Sequence, residues 1–179
     1  VTTGNLTIDG ATATAIRAWP YALLKTPGLL QVSGSRCTKT SYCTIWTEPT
    51  SVFELDANSI EFKDNQFPSN DVGGAAIAVV STAKVYLKSA THILFESNQV
   101  VGSASAGAVR VYPGGNLTMS AGTNITFADN LAPNGDGGAL KLDDDTAILK
   151  ILRNPPILFS GNAAKTGSAL YGSADHLSY

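Results

Sequence analysis

The sequence predicts an all-β chain wound as a parallel β-helix, a solenoid of about 32 residues and three short strands per coil. Three observations predict it. The phrase Ile-x-Phe-x-x-Asn recurs at Ile60–Asn65, Ile93–Asn98, Ile125–Asn130 and Ile157–Asn162, with phenylalanine steps of 33, 32 and 32 residues. A small-residue phrase runs in step with it: Gly74-Ala75-Ala76-Ile77, Ala106-Gly107-Ala108-Val109, Gly137-Gly138-Ala139-Leu140 and Gly167-Ser168-Ala169-Leu170. Between the two lie the alternating pairs Phe53/Leu55, Val85/Leu87, Leu117/Met119 and Leu149/Ile151, each 32 residues after the last.

Alternation of apolar and polar residues with period two marks half-buried strands, and no apolar helical stripe outlasts two turns before the next Gly or Pro. Equivalent strands of successive coils then pair in parallel about 4.8 Å apart. In such a coil Phe62, Phe95, Phe127 and Phe159 stack inside with Ile60, Ile93, Ile125 and Ile157. Three residues on, the chain turns, and Asn65, Asn98, Asn130 and Asn162 form an amide ladder, because a short amide satisfies both turn backbone and its neighbours. These eight ladder residues are expected to be structural. The small residues permit tight entry into the next strand.

Residues 43–179 follow this repeat, and Cys43–Thr47 is the counterpart of Ala75–Ile77 one coil earlier. Residues 1–42 are read as irregular N-terminal coils or a cap on the same continuous domain, with Leu30-Gln31-Val32 as a degenerate Ile-x-Phe. At the other end the chain stops after Ala169-Leu170-Tyr171 and a short tail, as either a fragment of a longer solenoid or an end that meets another molecule. End-to-end stacking of such ends builds a fibre.

The alternation of Phe-x-x-Asn (Phe62/Asn65, Phe95/Asn98, Phe127/Asn130, Phe159/Asn162) with the four Gly/Ala-rich strand starts, and Asn116-Leu117-Thr118 between, resembles the repeats of chlamydial polymorphic outer membrane proteins, which are autotransporters. The resemblance covers residues 60–172 well and the first 40 poorly, and two strand starts depart from Gly-Gly-Ala. It implies a right-handed parallel β-helix displayed outside the cell, where family members act as adhesins and surface antigens.

Apolar content of 44% with 15% charge fits a folded solenoid, and a net charge of −2 gives no electrostatic reason to expect nucleic acid. No apolar run approaches a membrane span, so no membrane insertion is expected. Cys37 and Cys43 are separated by five residues, which makes a local disulfide feasible and would point to an oxidising compartment; the alternative is two free thiols. Asn5, Asn116 and Asn124 each head an Asn-x-Ser/Thr triplet whose central apolar residue alternation buries, leaving the asparagine as a candidate glycosylation site.

Enzymatic chemistry has one candidate location. The outward column on the small-residue strands reads Trp46, Ala78, Arg110, Lys141, Tyr171, with Asp136 and the run Asp143-Asp144-Asp145 beside it. Carboxylates there could hold calcium while Arg110 or Lys141 takes a proton from a uronate, and Trp46 or Tyr171 stacks on a sugar. Against it, an Asp run at a turn is ordinary turn chemistry, and repeats of 30 to 33 residues leave little room for loops to wall a cleft. His92 and His176 show no obvious carboxylate partner in sequence. The expectation is therefore a non-enzymatic extracellular structural or adhesive protein, with no catalytic residue, metal or cofactor. Its partners would be itself, a cell-surface receptor or a glycan. A carbohydrate-binding or lyase-like β-helix is the alternative.

Overall fold

A computed structural model describes residues 4–12, 14–36, 44–68, 73–102 and 106–172, and the backbone of 177–178. Among the described residues every regular element is a β-strand and every strand pairing is parallel. The strands build three sheets, of ten, six and four strands, whose neighbours are one coil apart in sequence. The chain is a parallel β-helix.

The registers follow the repeated phrases. Ile60, Ile93, Ile125 and Ile157 are successive partners, as are Phe62, Phe95, Phe127 and Phe159. In the six-stranded sheet Ile45, Ile77, Val109, Leu140 and Leu170 form one column. Phe53, Val85, Leu117, Leu149 and Leu177 align in another. Parallel pairing at a fixed offset of about 32 residues can only place like on like, so the inward residues of all coils fuse into one apolar core.

The N-terminal stretch, expected to be irregular, contributes Leu6–Asp9, Ile16–Ala18 and the 13-residue strand Tyr21–Ser33 to the stack. Leu30 and Val32 pair with Ile60 and Phe62, where the degenerate phrase places them. These coils are shorter than the later ones, with Leu6 opposite Leu30 and Ile16 opposite Ile45, and the pairing of Tyr21–Ser33 with the next coil carries a register shift between Thr26 and Leu29. Gly28 lies in that shift, where a Cβ would come within 2.4 Å of the Asn5 side-chain oxygen.

Each regular coil also holds more than the three expected strands. After the ladder asparagine a further short strand (Gln66–Phe67, Gln99–Val100, Leu131–Asp136, Ala163–Thr166) forms the four-stranded sheet. The turn leading into it is made by one left-handed residue per coil: Gly34, Asp64, Ser97, Asp129 and Gly161, with φ between 54° and 63°. Asp is among the non-glycine types that tolerate this region best, and glycine adopts it without steric penalty.

The asparagine ladder runs unbroken from Asn65 to Asn162. Asn98 Nδ2 donates to Asn130 Oδ1 (2.9 Å) and to the Phe62 carbonyl (3.0 Å). Its Oδ1 accepts from Asn65 Nδ2 (2.9 Å) and the Asn65 backbone N–H (3.3 Å). Asn130 repeats the pattern with Asn162. At the N-terminal end Ser35 stands in the ladder position, and its N–H donates to Asn65 Oδ1. The phenylalanine rings stack with centroids 5.0, 4.8 and 5.2 Å apart and planes within 11° of parallel. Phe159 stays 40% exposed, because among the described residues no strand pairs beyond Ile157–Ser160.

Candidate functional site

The register unites the column singled out in the sequence. Arg17, Trp46, Ala78, Arg110, Lys141 and Tyr171 are successive partners on the six-stranded sheet. Its environment differs from the open face that alternation suggests. Trp46 and Lys141 are each only 8% exposed and Ala78 is fully buried. Long side chains on an outward face lie down on one another when aromatic neighbours cover them. Tyr112 packs edge-on to Trp46 at 6.2 Å and lies beneath the Arg110 guanidinium at 4.3 Å. Trp46 therefore has no free face to offer a sugar ring.

The charges of this column are matched within it. Arg110 grips Asp143 of the next coil through Nε (3.0 Å to Oδ1) and Nη2 (2.9 Å to Oδ2). Lys141 donates to Asp136 at 3.1 Å, stands 3.7 Å from Asp143, and lies over the Tyr171 ring at 5.4 Å. Asp136 and Asp143 are thus each drawn to a cation beside them rather than left open to a ligand. Asp144 caps its own turn by accepting from the backbone N–H of Thr146 and Ala147 and from the Thr146 hydroxyl.

A second charged cluster lies on the ten-stranded sheet. His92 Nε2 stands 3.1 Å from Glu61 Oε1, which gives His92 a carboxylate partner that its place in the linear sequence conceals. Lys63 bridges Glu61 (3.0 Å) and Glu96 (3.4 Å). Burial raises the Glu61 pKa, but the Lys63 ammonium and the His92 ring outweigh it and hold the carboxyl below its ordinary value of 4.5. A depressed carboxylate stabilises the fold above its unfolded pKa, and that contribution fades as pH falls through the native value. Thermal unfolding followed from about pH 6 down to about pH 3, across the carboxylate range, is therefore expected to show a steeper acid loss for the native chain than for Glu61→Gln. Identical pH profiles would show that the cluster contributes nothing.

The sequon asparagines occupy three settings. Asn5 is exposed, with its Oδ1 accepting from the Leu29 N–H. Asn116 is half-buried and accepts from the Thr118 hydroxyl at 3.3 Å, and Thr118 is only 6% exposed. Asn124 is half-buried beside fully buried Ile125. Cys37, Cys43 and His176 lie outside the described residues.

One concavity has no motif to announce it. A groove of about 470 Å³ crosses the outer face of the ten-stranded sheet, between Asp56 at one end and Leu152 and Arg153 at the other. Two outward columns supply its floor: Asp56, Lys88, Ser120 and Leu152 from one and, beside it, Tyr86 and Thr118 from the other. These positions do keep the 32-residue spacing, but they carry different residues in each coil and so form no repeated phrase. No family model matches this chain, and no curated protein or solved structure matches it either.

Proposed function

We propose that this chain is a non-enzymatic extracellular β-helix, a rigid stalk segment or fibre subunit at a cell surface whose outer faces make adhesive contacts. The observation that carries this reading is that the residues repeated from coil to coil are the ones consumed inside it. The phenylalanine stack and the asparagine ladder join each coil to the next without interruption from Asn65 to Asn162. A chain whose repeated side chains all bind neighbouring coils is built for stiffness along its axis. The resemblance of its repeat to those of surface-displayed autotransporters supports the same reading.

The lyase-like alternative is weakened by the arrangement of Arg110 and Lys141. A proton-abstracting base must reach substrate. Here Arg110 is held bidentately by Asp143 and Lys141 is buried between two carboxylates. Purified protein incubated with polyuronates and calcium is expected to form no unsaturated product. Beads coated with it are expected to adhere to cells, or filaments to appear by electron microscopy. Polyuronate cleavage that disappears in Lys141→Ala and Arg110→Ala would overturn the structural reading.

A further inference from the structure

We infer that the groove between Asp56 and Arg153 is a binding site for an acidic oligosaccharide, a short run of sugar rings bearing carboxylates. This deepens the adhesive half of the proposed function and rests on it for its biological meaning, though the site can be tested by itself.

The argument starts from charge. At one end of the groove the charges are already matched: Asp56 pairs with Lys25 at 2.6 Å and Lys88 with Glu54 at 2.5 Å. At the other end Arg153 is exposed, and among the described residues it makes no ion pair. The groove therefore presents an unopposed positive end on a chain of net charge −2. A planar guanidinium is well matched to a carboxylate, which it can hold with two parallel hydrogen bonds. Arg153 begins a turn of two left-handed residues, with φ of 70° followed by 53° at Asn154, which sets its position at the groove mouth.

The floor supplies what a sugar ring needs. Tyr86 presents a half-buried aromatic ring between the two ends, with the Lys88 ammonium over it at 5.8 Å, so a sugar would stack on it in place of that loose contact. Ser120 lines the groove as well, and its hydroxyl can donate to or accept from a ligand's hydroxyl. Thr118 beside it keeps acceptor capacity after donating to Asn116.

The same geometry disfavours a peptide. The strands Lys84–Ser89 and Asn116–Ser120 are hydrogen-bonded on both sides, so no edge is free for an added strand. Of the side chains at the groove surface only Leu152 is a large, exposed aliphatic, which leaves no apolar slot for the anchors of a docked helix. The volume lies within the roughly 300–1,000 Å³ typical of small-ligand sites.

The test is isothermal titration of the whole chain with a linear tetramer of galacturonate, the neutral galactose tetramer and a hexaglutamate peptide. The galacturonate tetramer is expected to bind at least about tenfold more tightly than either of the others. Arg153→Gln and Tyr86→Leu, both on the surface, are each expected to weaken binding about tenfold, as loss of one charge-assisted contact or one stacking face predicts. Unchanged thermal unfolding of both variants secures the comparison. No heat of binding at millimolar galacturonate would overturn the proposal. So would equal affinity for the neutral tetramer or for hexaglutamate, or unaltered binding by both variants. The two readings fail separately: cell adhesion that survives Arg153→Gln with no galacturonate binding sinks the groove alone, whereas tight binding without adhesion sinks the adhesive reading.

Discussion

Asn98→Ala is expected to destabilise the fold by about 4 kcal/mol, although the side chain removed is small and polar. Asn98 is fully buried and makes four side-chain hydrogen bonds, two as acceptor and two as donor. Removing it leaves the Asn65 backbone N–H and one Asn65 amide hydrogen without acceptors inside the coil. Each such orphan costs about 1–3 kcal/mol in a site water cannot enter. The Phe62 carbonyl and Asn130 Oδ1 each lose one donor as well.

Asn98→Asp sharpens the test, since it keeps size and acceptor capacity but reverses the donors. One carboxylate oxygen would still accept from Asn65, while the other faced the Phe62 carbonyl and Asn130 Oδ1 at donor distance. A buried charge beside two lone pairs is expected to be at least as destabilising as the alanine. Asn162→Ala, at a half-buried rung, is expected to cost no more than about 1–2 kcal/mol, because water can replace part of what is lost. Denaturant midpoints measure all three. Equal, small shifts for Asn98→Ala and Asn162→Ala would mean that the ladder adds no cohesion between coils.

The columns themselves are readable in the sequence because identity at a fixed spacing leaves parallel stacking few alternatives. Ile60, Phe62 and Asn65 recur unaltered, so their partners follow by addition. Where the identity decays, so does legibility. Leu30 and Val32 keep the core volume but not the phrase, so their pairing with Ile60 and Phe62 is only faintly legible in the sequence. The four-stranded sheet is hidden for another reason: strands as short as Gln66–Phe67 and Gln99–Val100 carry no measurable period.

Alternation decides which way a side chain leaves the sheet but not what happens to it afterwards. Arg110 and Lys141 leave the core as expected, then lie against Tyr112, Tyr171 and the acids of adjacent turns. His92 meets Glu61 diagonally across the paired strands of neighbouring coils, a contact that needs the exact register and that no repeated phrase marks. The groove depends on the relief of the sheet between unlike residues, for which a single sequence has no signature.

Phe95→Ala is the second large effect, at about 4 kcal/mol, and it separates a packed column from a merely hydrophobic one. The ring lies between Phe62 at 5.0 Å and Phe127 at 4.8 Å, nearly parallel to both, and is fully buried. Cavities in ordinary cores shrink as neighbours relax into them. Here the coils are held at the spacing of their hydrogen-bond ladders, on either side of the column, so the space vacated by the ring has little means of closing. Phe95→Leu is expected to lose less, about 1–2 kcal/mol, because it restores most of the volume without the ring faces. Phe159→Ala loses one stacking partner from a ring already 40% exposed, so about 1–2 kcal/mol is expected there too. The pair Phe95→Ala/Phe127→Ala should then destabilise by less than the sum of its single variants, since each single change already removes their shared face contact. Strict additivity of that pair, read from denaturant midpoints, would show that the rings are buried side by side without stabilising one another.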